Sequence, residues 1–392
     1  MIKLKKNIWE KSTLSECCEF HRGVTYSTKD EVDYDGIGIL RANNINAESS
    51  QLNFDNLRLI RKEARVKESQ KLKKNDVLIC TASGSLDHIG KVAFAKEDTN
   101  CYAGGFMGII RPLEKEIEPN LLFNIFLSER FTTFIQNQRA GTNIQNLKFS
   151  NLESFEIPLP PLEEQKQIAA LFQSIETAME QVDGQEKNLH LLLQNLINDL
   201  ISEGSKIRKG KLKKVVFGDI SNNISERAEP QNSIGQIFVG LDHIDSREIK
   251  IERFGKPDSL IGTKLKVYEG DIIFGKRNAY LRKAAISTFD GICSAHAMVL
   301  RANKKSIYKD YLPFFMHSDS FMIRAKEISE GSISPTIKWK NLERQEFNIP
   351  EIEEQIKFTQ VFKQIEEIRN QLKQQKTTLK NLKQKLLNEI LG

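Results

Sequence analysis

The sequence predicts an α+β protein: two similar domains with mixed, curved β-sheet, separated by two long antiparallel coiled-coil helices and related by a pseudo-twofold. Three observations predict it. The chain of 392 residues matches itself at a constant offset of 190. Each copy ends in an apolar stripe at helical spacing. Upstream of each stripe stand short β-branched runs bounded by glycine and polar residues. At this length two domains of ordinary size are expected, and 39% hydrophobic with 28% charged residues describes a folded chain, not a disordered or fibrous one.

The repeat carries most of this reading. Leu152-Glu153 answers Leu342-Glu343, Pro160 answers Pro350, Glu163-Glu164-Gln165 answers Glu353-Glu354-Gln355, and Phe172 answers Phe362. The register then holds through Leu189/Leu379, Leu192/Leu382, Leu196/Leu386 and Asn198/Asn388. A match of that length at one offset marks duplication of a structural unit. In the first copy Ile168, Leu171, Phe172, Ile175, Met179 and Val182 recur at helical spacing, and Val361, Phe362, Ile365, Ile368 and Leu372 do so in the second. Proline followed by Glu-Glu suits a helix N-terminus, where the first amides lack partners and the dipole favours negative charge. About forty residues at ~1.5 Å per residue make a rod of ~60 Å. So long a stripe needs a partner, and the other copy is the simplest one. Around Gln185 and Gln375 both stripes lapse for a turn, so looser or polar packing is expected there.

The remaining elements follow in chain order. Met1 to Lys11 has lysines but no apolar stretch of signal-peptide length, and no later run reaches the length of a membrane span, so a cytoplasmic location is expected. Strands are expected at Val77 to Cys80, Lys91 to Ala95 and Gly108 to Arg111, then a helix over Leu121 to Gln136. In the second copy strands fall at Asp271 to Phe274 and Met298 to Arg301, and a helix at Tyr311 to Ile328. Lys206 to Lys214 is basic, contains glycine, and reads as an exposed linker. The resulting domains are residues 1–157 and 205–347, each followed by a helical region, residues 158–204 and 348–392.

The net charge of +6 is compatible with nucleic acid without requiring it. The 5 cysteines (Cys17, Cys18, Cys80, Cys101, Cys293) show no C-x-x-C spacing and read as reduced core residues. The 6 histidines stand singly, so no metal site is expected. Gly270 to Lys276 begins like a phosphate loop, yet Arg277 replaces the hydroxyl residue and the interior is Asp-Ile-Ile-Phe, a strand. Gly104-Gly105-Phe106-Met107-Gly108 precedes a strand and lacks the context of a dinucleotide or methyl-donor site. Nucleophile elbows, amino-methyltransferase motifs and nuclease carboxylate sets do not occur. No catalytic residues are expected.

At Ile157-Pro158-Leu159-Pro160-Pro161-Leu162-Glu163-Glu164-Gln165 and Ile349-Pro350-Glu351-Ile352-Glu353-Glu354-Gln355 the chain resembles the specificity subunits of type I restriction-modification systems. The resemblance covers essentially the whole sequence, with Trp9, Gly141-Thr142, Gly331-Ser332 and Gly270-Asp271-Ile272-Ile273 in support. The second copy departs from the motif, with Asn348 and Glu351 where the first has Pro158 and Pro161. The resemblance implies a non-catalytic subunit whose two target recognition domains each read one half of a split, asymmetric double-stranded DNA site. It implies two modification (methyltransferase) subunits as partners, carrying S-adenosylmethionine and methylating adenine, and ATP- and Mg-dependent restriction/translocase subunits beyond them. No cofactor is implied in this chain. A twofold relation between domains suits this, because it lets them meet DNA in opposite strand senses.

Base edges are read mainly by Arg, Lys, Asn and Gln, while phosphates accept from Arg, Lys, Ser, Thr and backbone amides. Lys276, Arg277, Asn278, Tyr280, Arg282 and Lys283 concentrate such groups after a strand and are the first choice for DNA contact. The equivalent stretch of the first domain offers Thr81, Ser83, Ser85, His88 and Lys91. Arg41, Asn43 and Asn44, with their counterparts Asp242 and His243, are second choices. Thr142 and Ser332, beside the helix roots, suit phosphate contact or turn and cap formation equally. The competing reading is a coiled-coil interaction scaffold without sequence-specific DNA binding.

Overall fold

The computed structural model describes residues 9–47, 49–140, 146–229, 236–256 and 261–392. It divides into two compact units, Met1–Val182 with Gln375–Gly392, and Asp183–Gln374.

In the first unit, Val77-Leu78-Ile79-Cys80 is apolar throughout because both faces of its strand are covered. Val77 and Ile79 pack with Leu121, Phe126 and Phe131 of a helical layer, while Leu78 and Cys80 pack with Leu40 and Ala103 of a second sheet. Alternation along the strand sends neighbouring side chains to opposite layers. The first sheet is antiparallel, in the order Cys18–Arg22, Met107–Pro112, Val77–Cys80, Val92–Phe94. The second runs Glu31–Val32, Arg58–Ile60, Ile37–Leu40, Cys101–Ala103, and its last pair is parallel, which supplies the expected mixed character.

The second unit repeats the plan. Its antiparallel sheet runs Ser221–Ile224, Met298–Ala302, Ile272–Phe274, Ala284–Ile286. Its mixed sheet runs Arg227–Ala228, Lys264–Val267, Gly291–Cys293, Ile237–Val239. Ile272 and Phe274 face the helical layer and Ile273 the second sheet, as in the first unit. A buried carboxylate holds each central strand at its start: Arg111 Nε and Nη2 donate to both oxygens of Asp76 at 2.8 and 2.7 Å, and Arg301 does the same to Asp271 at 2.6 and 2.8 Å.

Two elements differ from expectation. Each helix predicted as one piece is two: Pro119–Phe126 and Glu129–Ala140, then Leu312–Met316 and Asp319–Glu327. Ser318 caps the later helix by accepting from the Phe321 amide, and Ser128 occupies the same place before Phe131. A serine followed by an acid is a helix start signal that continuous apolar periodicity conceals. The basic linker is only partly a linker. Leu212–Val216 is a strand paired with Glu346–Pro350, as Glu10–Thr13 pairs with Glu156–Leu159. Arg208 is folded back to donate to the Leu200 and Ser202 carbonyls, quenching the negative end of a helix.

The long helices are Leu162–Ile201 and Ile352–Leu391. A buried glutamine anchors each to its unit. Gln165 Nε2 donates to the Pro160 and Glu116 carbonyls while Oε1 accepts from the Glu118 amide; Gln355 repeats this with Pro350 and Tyr308. Each unit contains half of each helix, packed antiparallel. In the first, Ile168 and Phe172 share a core with Leu387, Ile390 and Leu391, and Lys383 pairs with Glu176 at 2.7 Å. In the second, Leu193, Ile197 and Leu200 share a core with Phe358, Phe362 and Ile365. Where the stripe lapses, Arg369, 2% exposed, pairs with Glu186 at 2.6 Å, Glu248 at 2.7 Å and Glu366 at 2.7 Å. Burial pulls its pKa down, but the surrounding carboxylates, Glu366 foremost, outweigh this and hold it above the ordinary arginine range.

Candidate nucleic-acid interface

In the second unit the chain leaves the Ile272–Phe274 strand and enters a loop pinned on both sides. Gly275 N donates to the Lys283 carbonyl at 2.8 Å, closing its base. Asn278 N donates to the Pro335 carbonyl, and Ile337 N to that of Lys276, both at 2.8 Å, so Arg277 lies in a bridge to Thr336. Asn278 and Arg282 flank the short helix Ala279–Leu281 in the left-handed region, φ 56° and 52°. The loop of the first-choice residues is thereby tied to the segment that carries Ser332, although the sequence separates them by some fifty positions.

Within these two segments the side chains divide. Arg277 and Tyr280 are exposed, the latter at 56%, and neither has a side-chain partner among the described residues. Ser332 is exposed beside Gly331, whose φ of 106° turns the loop, and Ile333 at the tip is 95% exposed. Lys276 is half-buried, and burial pushes its ammonium pKa down. Arg282 and Lys283 are engaged by the protein itself. Arg282 pairs with Asp319, which also accepts from Asn198 Nδ2 at 2.7 Å on the first long helix, and Lys283 Nζ donates to the Leu241 carbonyl at 2.6 Å. These two hold the loop in shape.

The first unit builds the same arrangement. Leu147 N donates to the Thr81 carbonyl at 2.6 Å and Ala82 bridges to Asn146. Thr81 Oγ1 donates to the Phe106 carbonyl at 3.0 Å, and Ser83 Oγ accepts from the Ser85 amide at 3.1 Å. Ser85 is exposed, and His88 and Lys91 are partly so. Thr142 lies outside the described residues. Asn44 is 1% exposed and its amide is fully occupied: Oδ1 accepts from Arg41 N, and Nδ2 donates to the Asn53 and Asp55 carbonyls. It shapes the loop that displays Asn43, which is exposed. Arg41 is half-buried, and its Nε has no hydrogen-bond partner among the described residues.

Among the described residues no group of three or more His, Cys, Asp and Glu could hold a metal ion, and no helix is long and apolar enough to cross a membrane. All five cysteines are free and buried, and burial pushes the Cys80 thiol up to about 11 and that of Cys293 up to about 12.

The family described as the type I restriction modification DNA specificity domain matches residues 7–191 and 233–381. The chain belongs to that family. Curated relatives include the StySPI specificity subunit of Salmonella potsdam, 25% identical with 97% of this chain and 87% of the relative covered. The EcoKI specificity subunit of Escherichia coli K12 is 26% identical at the same coverage. Among solved structures, a chain from a study of assembly and conformational transition of the type I R-M system aligns with a TM-score of 0.59 at 18% identity, covering 97% of this chain and 96% of that one. The S subunit from M. genitalium aligns at 0.55 and 15% identity, covering 100% and 98%. These likenesses agree in fold with the duplicated unit and paired long helices, and membership makes the chain a non-catalytic DNA-specificity subunit.

Sequence reasoning missed Gln165 and Gln355, whose place in the repeat marked them and whose role did not show. It also left Gly104 to Phe106 without a role, although the turn lies directly against Thr81.

Proposed function

We propose that each unit of this type I specificity subunit reads one half of a bipartite, asymmetric DNA site, and that the long helices set the spacer and recruit two modification subunits. One observation carries it: both units support the same pinned loop after the same buried strand, yet fill it with different side chains. A shared frame with unlike contents suits two unlike half-sites. In the second unit Arg277, Tyr280 and Ser332 contact DNA, with Lys276 adding charge; in the first, Arg41, Asn43, Thr81, Ser83, Ser85, His88 and Lys91 do so. Functionally, residues 1–157 and 205–347 are the recognition domains and residues 158–204 and 348–392 the spacer regions. The modification subunits supply S-adenosylmethionine and adenine methylation, and restriction subunits supply ATP- and Mg-dependent translocation, in the cytoplasm.

The test is to map methylated adenines in host DNA, then exchange residues 1–150 for those of another such subunit. A split motif that changes in one half only is expected. Binding of the assembled complex that falls with salt but ignores sequence would overturn the reading in favour of a scaffold.

A further inference from the structure

The glycines of the Gly104-Gly105-Phe106 turn let backbones meet. Gly104 N donates to the Leu40 carbonyl at 2.9 Å, and Met107 N donates to that of Gly104 at 2.8 Å. A Cβ on Gly23 would collide with the Gly104 carbonyl, one on Gly104 would lie 3.1 Å from the Leu40 oxygen, and one on Gly105 would lie 3.2 Å from the Val24 oxygen. The backbone carrying Phe106 is fixed in turn, since its carbonyl accepts from Thr81 N at 2.9 Å, Ala82 N at 3.1 Å and Thr81 Oγ1 at 3.0 Å. Yet the ring is 71% exposed. A large apolar side chain held rigidly in water, against the loop proposed to read DNA, gains nothing for the fold from that exposure. Its surroundings are polar: Thr25 and Thr81 stand beside the turn, and the stem of Arg41 passes 3.6 Å from where a Gly104 Cβ would be. Arg41 Nε, as noted, is buried without a partner among the described residues.

The second unit has the same turn. Ser294 N donates to the Val239 carbonyl, and Ala297 N to that of Ser294, each at 2.9 Å. This sets Ser294 against Gly104 and His296 against Phe106. His296 is likewise exposed, so an aromatic ring stands at the tip in both units, apolar in one and hydrogen-bonding in the other.

We infer that this turn is a second base-reading element, in which Phe106 contacts the 5-methyl group of a thymine in the major groove and His296 hydrogen-bonds a base edge in the other half-site. The inference rests on the proposed DNA-reading function. Apolar contact is the one major-groove interaction that distinguishes thymine by its methyl group, and a ring without hydrogen-bonding atoms can make no other specific one.

The test uses the full chain assembled with its modification subunits on the mapped site, replacing each thymine of the first unit's half-site in turn by deoxyuridine, which lacks only the methyl. At one position the substitution is expected to weaken binding roughly fourfold, the worth of about one buried methyl. Phe106→Ala should bind thymine and deoxyuridine DNA alike at that position, while Phe106→Leu should keep most of the discrimination. Because the ring is exposed, the alanine variant should melt as the parent does. Equal discrimination in parent and F106A, or a half-site with no sensitive thymine, would overturn the inference and leave the DNA-reading function standing. A parent complex with no sequence preference would overturn both.

Discussion

Arg277 is a guanidinium without a side-chain partner among the described residues, on a fixed backbone, which is what a specific contact needs. Arg277→Ala is expected to weaken binding at the second unit's half-site by about tenfold or more, the range of a good arginine contact to guanine. Titration against single-base variants at two salt concentrations separates its modes: relaxed preference at one base pair marks a base contact, and uniform weakening with a salt slope smaller by about 1 marks a phosphate contact. The sequence showed where such side chains concentrate but not which were taken. Asn44, Arg282 and Lys283 have the right chemistry, and carbonyls, an amide and Asp319 remote in the chain occupy them. His317 shows the same limit. Nothing near it in the sequence indicates that it is 2% exposed, with Nε2 against the Ala284 carbonyl at 2.7 Å. Burial pushes its pKa from 6.5 down to about 4. A depressed imidazole favours the folded state when neutral, so its contribution is complete above pH 6.5, declines as pH falls towards 4, and is gone below. From pH 7 to pH 5 the loss is expected to be about 2 kcal/mol. Denaturant midpoints across that interval should show a steeper fall in the parent than in His317→Gln; equal slopes would place the acid sensitivity elsewhere.

The long helices were legible because many apolar positions recur at helical spacing in both copies, so no single residue could mislead. Short helices offer too few turns for that averaging, and one serine cap decided each break. Arg369 marks a further limit: its counterpart in the repeat is Met179, and Glu186 answers Lys376, so duplication does not extend to this ion-pair network. Its members come from both long helices and from Glu248 outside them, and Lys373 lies 3.7 Å from that same glutamate. Arg369→Met, which restores the repeat's own residue, would leave buried Glu366 and its neighbour Glu186 without their cation, while Glu248 keeps Lys373. Removing one partner of a buried ion network costs about 3 kcal/mol or more, whereas replacing it together with its partners by apolar residues is nearly neutral. Thermal denaturation should therefore show R369M well below the parent, and combining it with Glu366→Leu and Glu186→Leu should recover much of the difference. A single variant as stable as the parent would mean that the network contributes only surface-like pairing.

At the scale of the molecule, the repeat was visible because the two helices carry no insertions relative to each other, while the upstream match drifts from an offset of 190 at Arg111/Arg301 to 195 at Asp76/Asp271 as loop lengths differ. The unit boundaries fall inside both helices, at Val182 and Gln374; Gly184 stands beside the first without ending its helix, no glycine or proline marks the second, and the helices continue unbroken through both. This arrangement dictates how the spacer should be tested. Because the halves pair antiparallel within each unit, lengthening one helix alone slides apolar positions past their partners, and such a variant should lose thermal stability. Seven residues added after Val182 and again after Gln374 keep both stripes in phase to within ~20°. They lengthen each rod by ~10 Å, about three base pairs at ~3.4 Å per base pair along a strand. Methylation of a duplex series with graded spacers should peak about three base pairs beyond the parent optimum. The half-site sequences should stay as they were, since the pinned loops are untouched. If the optimum does not move in a stably folded double insertion, helix length does not set the spacer, and half-site reading would survive with another ruler.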